Sequence, residues 1–113
     1  MLVKDCINTV KINSMTQKVN ININFSFDFN GSPADLKIDY RPYKDHLEQI
    51  SVLEYVNNLK QDKDLSIEDL ASKITEDLYD LAIPTRISLC LTHTVNDITT
   101  TINTQKDQPK ASC

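Results

Sequence analysis

The chain has 113 residues, the length of one domain, and 40% of them are hydrophobic, enough for one compact core that gains stability from assembly. Its net charge of −4 and the lack of a basic patch argue against nucleic-acid binding. The longest apolar runs are too short to span a bilayer, and no signal-peptide segment is present. Three widely spaced cysteines (Cys6, Cys90 and Cys113) suggest neither a zinc site nor a disulfide framework. We therefore expect a soluble, reduced, cytoplasmic protein.

The N-terminal third of the chain predicts a long antiparallel hairpin. Residues 1–16 are weakly patterned and predict an arm or an extra edge strand. Residues 19–29 alternate strictly, with Asn-rich positions on one face, which indicates a half-buried strand. A turn at residues 30–33 leads into a second strand, which Pro42 ends. The apolar face of this hairpin comprises Val19, Ile21, Ile23, Phe25, Phe27, Phe29, Leu36, Ile38 and Tyr40.

Two helices are predicted next. The first covers residues 46–59, and a charged, solvated loop follows at residues 60–64. The second lies within residues 65–84, where Ser66 is a helix N-cap and Asp69 occupies the capping-box position. The predicted apolar stripes are Leu47, Ile50, Val52, Leu53, Val56 and Leu59 in the first helix, and Ile67, Leu70, Ala71, Ile74, Leu78 and Leu81 in the second.

The C-terminal part predicts a second hairpin. Ile87, Leu89 and Leu91 alternate with polar residues, as do Ile98, Thr100 and Ile102, with a turn near residues 95–97 and a frayed tail at 106–113. The order is ββααββ. It predicts a single α+β domain over residues 1–113, a four-stranded antiparallel sheet with two helices on one face and the other face covered or wet.

Two glutamates are candidate ligand-binding residues. Glu68 lies in the first turn of the second helix, where backbone N–H groups and the helix dipole favour a charged carboxylate. Such a carboxylate can accept two parallel hydrogen bonds from a flat, N–H-rich ligand. The alternative is that it only complements the dipole. Glu48 is in or just before the first turn of its helix, and if the helices lie side by side, both acids face one end of the sheet.

This order of elements, with an acid at the start of the second helix, resembles the tunnelling fold (T-fold). The family includes GTP cyclohydrolases, dihydroneopterin aldolases and 7-cyano-7-deazaguanine reductases. The resemblance implies that the sheets of several copies join into a barrel, as a homo-oligomer. It also implies that a purine- or pterin-like heterocycle binds at a subunit interface, anchored by a carboxylate in the position of Glu68.

The closest resemblance is to the 7-cyano-7-deazaguanine reductases of queuosine biosynthesis, over roughly residues 25–91. It rests on Ile-Asp-Tyr-Arg-Pro at residues 38–42 and on Glu-Gln-Ile-Ser-Val-Leu-Glu-Tyr at residues 48–55. The resemblance implies that a 7-deazaguanine contacts Glu68, Glu48 and Ser51. NADPH is implied as cofactor only if reductase activity is retained.

The reductase machinery departs from that family's pattern. Phe27 stands in the place of the nucleophilic cysteine, and a nitrile cannot be captured as a thioimide without a thiolate. Asp35 is near the catalytic aspartate but out of register, and Ile67 replaces a histidine. Residues 92–97 replace the arginine- and glycine-rich turn that meets the cofactor. The sequence therefore favours binding over reductase chemistry.

Two other readings stay open. Residues 67–71 also resemble the anchor helix of dihydroneopterin aldolases, although their catalytic lysine would fall near Thr92 or His93. The third reading is a non-catalytic oligomeric binding module.

Three further predictions concern single side chains. His46 and His93, at unrelated positions, are weak evidence for a metal, and no metal site is predicted. Tyr40 and Tyr55 are predicted to be packing residues, each with one satisfied hydroxyl. Phe27 is predicted to be a core residue.

Overall fold

The computed structural model describes residues 7, 9–11, 19–43 and 45–108. The fold is α+β, and the predicted four-stranded antiparallel sheet and two helices are confirmed. The elements in chain order are β1 (Thr9–Lys11), β2 (Ile21–Phe29), β3 (Ser32–Arg41), β4 (Asp45–Leu47), α1 (Gln49–Leu59), α2 (Ile67–Ala82), β5 (Arg86–Val95) and β6 (Ile98–Asp107).

The main sheet has the strand order β2-β3-β5-β6, so β2 and β6 are its edges. Alternate side chains of β2, β3 and β5 are buried, because neighbouring residues of a strand point to opposite faces. Phe27 is one of the buried residues, with 8% of its surface exposed, as predicted. We call this buried side the inner face and the polar side the outer face. The inner face carries Ile23, Phe27, Phe29, Ala34, Leu36, Ile38, Tyr40, Ile87, Leu89 and Leu91.

Both hairpins turn in two residues. Asn30 and Gly31 join β2 to β3 with φ values of 53° and 83°, and Asn96 and Asp97 join β5 to β6 with φ values of 51° and 66°. Two consecutive positive φ values match the right-handed twist of the flanking strands, and Asn, Asp and Gly tolerate them best. The first turn is thus tighter than predicted, since β3 already begins at Ser32.

β1 and β4 form a short two-stranded ribbon, of which the sequence predicted only the first strand. β1 pairs antiparallel with β4, so an extra strand does form within residues 1–16. The sequence predicts that the first helix begins at residue 46. This prediction is wrong, because residues 45–47 form β4. The N–H of Leu47 donates to the hydroxyl oxygen of Tyr40 at 2.9 Å, and this tertiary contact holds residue 47 in β4. α1 therefore begins only at Gln49.

The two helices cover the inner face. In α1, Val52, Val56 and Leu59 are buried as predicted, whereas Ile50 is 67% exposed, which corrects the predicted stripe. Ser51 and Tyr55 are buried with them, and these five positions form one face of a 3.6-residue helix.

α2 packs on the β5–β6 side of the sheet. Its buried face includes Leu70, Ala71, Ile74 and Leu78 from the predicted stripe, and the hydroxyl of Thr75 hydrogen-bonds that of Thr104 in β6. β6 continues to residue 107, so the first two residues of the predicted frayed tail belong to a strand. Residues 109–113 lie outside the described residues. Neither helix of the described part of the chain is long and apolar enough to cross a membrane.

Candidate ligand-binding site

Two side chains at the start of α2 cap the N-terminus of this helix. The Ser66 hydroxyl oxygen accepts the Asp69 N–H at 3.1 Å, and the Asp69 carboxylate accepts the Ser66 N–H at 3.5 Å. The predicted capping box is therefore confirmed. Glu68, between them, is exposed, and within the described ranges it makes no hydrogen bond or ion pair. Its carboxylate is therefore accessible to a ligand and is not needed to cap the helix.

Glu48 and Ser51 form the start of α1. Glu48 is the N-cap residue in an extended conformation, and its carbonyl oxygen accepts the N–H of Val52 at 3.2 Å. The Ser51 hydroxyl donates to the same carbonyl at 2.7 Å, and Ser51 is buried. The one hydroxyl hydrogen of Ser51 is thus committed to the start of its own helix. Glu48 is half-buried, so its side chain is only partly accessible to solvent.

α1 runs along the sheet from one end to the other. Its start is held beside Tyr40 through the hydrogen bond of Leu47. Its end lies beside Phe27, since the ammonium group of Lys60 is 5.8 Å from the centroid of that ring. Along β2 and β3, Tyr40 pairs with residue 21 and Phe27 pairs with residue 34, so they mark opposite ends of the sheet.

Glu48 and Glu68 consequently lie at opposite ends of the helix pair. Glu48 precedes α1, and Glu68 follows it across a short loop. The 11 residues of α1 span about 16 Å. Thr75 in the middle of α2 contacts Thr104, and Arg86, just after α2, pairs with Arg41 at the end of the sheet near Tyr40. α2 therefore runs towards the end where α1 starts. The expectation that both acids face one end of the sheet is wrong, because the two helices run antiparallel.

The positions that the resemblance aligns with catalytic residues of the reductases make packing contacts or surface hydrogen bonds in this fold. Phe27 packs in the core, and Ile67 is half-buried against it. Asp35 faces the outer side of the sheet, where it accepts a hydrogen bond from Ser26. Cys90 is half-exposed on the same outer face, in the middle of β5. Phe27 therefore occupies the position where the resemblance places the nucleophile of a reductase, and Cys90, the one cysteine in the described part of the chain, lies on the opposite face of the sheet.

The histidines are far from each other in the fold. His46 belongs to β4, and His93 belongs to β5, where a ring nitrogen lies 3.2 Å from the Phe29 carbonyl oxygen. Across the described residues, no group of three or more His, Cys, Asp or Glu side chains is placed to hold a metal ion.

The outer face carries a polar depression that the sequence did not indicate. It has a volume of about 430 Å³, and a second depression of about 290 Å³ adjoins it at Lys37. Alternation indicates that each strand has a polar face, but only the pairing of β5 with both β3 and β6 brings these side chains together. The larger depression is lined by Lys37, Asp39, Ser88, Cys90, Asn103 and Gln105.

A buried polar group links the two helices. The Tyr55 hydroxyl donates to Asp77 at 2.6 Å, and the other oxygen of that carboxylate lies 3.4 Å from the Lys73 ammonium group. Tyr55 and Asp77 are 0% and 4% exposed. Tyr40 is buried as well, and its hydroxyl oxygen accepts the N–H of Leu47. The prediction of two packing tyrosines with satisfied hydroxyls is confirmed.

These two tyrosines should make the protein less stable in alkali. Burial raises the pKa of both phenols above the usual value, and the Asp77 carboxylate raises the pKa of Tyr55 further. In the unfolded chain both ionise near pH 10, so their contribution to stability is complete below that pH and is lost as the pH rises. Above pH 10, we expect the free energy of unfolding to fall by at most about 1.4 kcal/mol per pH unit for each of the two tyrosines that stays protonated in the fold.

Urea unfolding at several pH values between about 9 and 11 measures this slope. In Tyr55→Phe the free energy of unfolding should fall less steeply with pH, because one buried phenol is removed. Tyr79→Phe is the matched control. An identical slope in Tyr55→Phe and the wild type would show that Tyr55 ionises as freely in the fold as outside it.

No protein-family model and no curated protein sequence matches this chain. The T-fold resemblance therefore stands on the short motifs and the order of elements alone.

Proposed function

We propose that this protein binds a flat purine- or pterin-like heterocycle between copies of the chain, as a T-fold protein related to the 7-cyano-7-deazaguanine reductases. The observation that carries the proposal is the exposed Glu68 carboxylate at a helix start that is already capped by Ser66 and Asp69. A guanine-like edge presents two adjacent N–H donors, and a carboxylate accepts both in parallel.

The edges of the sheet support assembly. In β2 the only charged residue is Asp28, and in β6 charge is confined to Lys106 and Asp107. Within the described residues, neither β2 nor β6 has a partner on its outward side. Long edge strands with few charges favour pairing with another chain.

The directions of the strands fit a closed ring. Each of the four strands runs antiparallel to its neighbour, so β2 and β6 run in opposite directions. β6 of one copy can therefore pair with β2 of the next as a continuous antiparallel sheet. Repetition of such a head-to-tail contact generates rings when the rotation closes.

We propose binding without reductase chemistry. The buried Phe27 side chain offers no nucleophile for a nitrile, so a covalent thioimide cannot form there. This favours a binding module over a working reductase, and NADPH is not part of the proposal.

Calorimetric titration with 7-cyano-7-deazaguanine, guanine and neopterin tests the function. We expect at least one of them to bind, and Glu68→Gln to weaken it by about 10- to 150-fold, because a hydrogen bond to a charged group contributes about 1.5–3 kcal/mol. Glu54→Gln is the matched control, since Glu54 is an exposed glutamate of α1. Equal binding by wild type and Glu68→Gln, or no binding by any of the three, would reject the proposal.

A further inference from the structure

A small pocket lies at the same end of the molecule as Glu68. It forms between the β2–β3 turn and the loop that joins α1 to α2, and its volume is about 210 Å³. Pockets for whole drug-sized ligands have about 300–1,000 Å³, so this one suits a small chemical group. It is lined by Asp28, Asn30, Lys60, Gln61 and Lys63.

The pocket is locally cationic, although the chain has a net charge of −4. Two lysines line it against a single acid, Asp28, whose carboxylate already accepts the Gly31 N–H at 3.0 Å. The other acids of the loop are turned elsewhere. Asp62 accepts the N–H of Asp64 at 3.0 Å, and neither of them lines the pocket.

Backbone hydrogen bonds order the loop that carries the two lysines. Asp62 N–H donates to the carbonyl of Leu59 at 3.1 Å, and Leu65 N–H donates to that of Asp62 at 3.2 Å. The Lys60 ammonium group also lies over the Phe27 ring. This order lowers the entropic cost of collecting the two cations around an anion.

We propose that this pocket binds a phosphate group, and that the ligand of the protein is a phosphorylated heterocycle, such as a nucleotide, and not a free base. Lysine ammonium groups bind phosphate as point charges. The Asn30 amide adds N–H donors, and Gln61 adds one amide N–H, since its other N–H donates to the Asn57 carbonyl oxygen at 3.3 Å. The phosphate site stands on its own residues, whereas its use for a nucleotide rests on the proposed function, in which Glu68 holds the base.

The test compares GMP, guanosine and inorganic phosphate by calorimetry at low ionic strength, where screening is weakest. We expect GMP to bind at least about tenfold more tightly than guanosine, and inorganic phosphate to compete with GMP. The double variant Lys60→Gln/Lys63→Gln should lose this advantage and keep the affinity for guanosine. Lys37→Gln removes one exposed lysine of the outer face as a control and should bind GMP like the wild type.

The outcomes separate the two proposals. Phosphate binding that depends on the two lysines but not on Glu68, with no binding of guanosine, would keep the phosphate site and reject the heterocycle. Guanosine binding that Glu68→Gln removes, with no gain from the phosphate, would do the opposite. A double variant that binds GMP as tightly as Lys37→Gln, or a wild type that binds neither GMP nor phosphate, overturns the phosphate site.

Discussion

Tyr55→Phe should lower the free energy of unfolding by about 1.5–3 kcal/mol, the contribution expected of a hydrogen bond to a charged group. The substitution keeps the packing of the ring but removes the donor that lies 2.6 Å from Asp77. The carboxylate then stays buried with only the partly exposed Lys73 as its ionic partner. A buried charge that loses a partner costs more than the same loss at a surface. Urea denaturation at neutral pH measures the change.

Tyr79→Phe provides the comparison. Tyr79 is half-buried, and its ring lies 4.6 Å from the ammonium group of Lys106, a contact that phenylalanine retains. We expect this change to stay within about 0.5 kcal/mol of the wild type, as surface substitutions usually do. Similar losses in the two variants would mean that the bond between Tyr55 and Asp77 contributes no net stability.

Lysines on one edge of the sheet should abolish assembly. One variant carries Asn22→Lys and Asn24→Lys in β2, and the other carries Thr99→Lys and Thr101→Lys in β6, all at exposed outer-face positions. Lysines on an edge strand oppose pairing with another chain because they must be desolvated and repel one another. Light scattering after size exclusion should show the wild type as an oligomer and each variant as a monomer.

A mixture of the two variants tests the head-to-tail contact. Each retains one intact edge, so the mixture should form a heterodimer through β6 of one chain and β2 of the other. Ser88→Lys/Thr92→Lys adds the same charge to the central strand β5 and should leave the oligomer intact. If only one variant dissociates, a symmetric contact of that edge replaces the ring. If both variants are monomeric and their mixture also stays monomeric, the head-to-tail contact is rejected. A monomeric wild type would reject assembly altogether.

Local patterns were enough to predict most of the secondary structure. Alternation in β2 identified the buried Phe27, and the pair Ser66 and Asp69 identified the start of α2 within a residue. Both signals involve neighbours in the sequence. β4 was missed because it pairs with β1, far away in the chain, and because its end is held by Tyr40, so nothing near residues 45–47 indicates a strand.

The candidate site was predictable in its chemistry but not in its geometry. The position of Glu68 in the first turn of α2 follows from a capping box that is visible in the sequence. Its distance from Glu48 depends on the antiparallel course of the helices, which helical periodicity does not encode. The sequence predicts only a solvated loop around Lys60 and Lys63. The pocket beside this loop could not be predicted, because its other wall is the β2–β3 turn, about 30 residues earlier in the chain.

The central pairing of β3 with β5 has a kinetic consequence. Each hairpin closes across two residues, whereas Ile38 and Leu89 are paired across 89 − 38 = 51 positions of the chain. Closing so long a loop costs entropy before its contacts repay it, and domains rich in distant contacts fold more slowly than helical ones. We therefore expect the union of the two halves to be the slow step of folding, and the hairpins and helices to gain their full stability only with it.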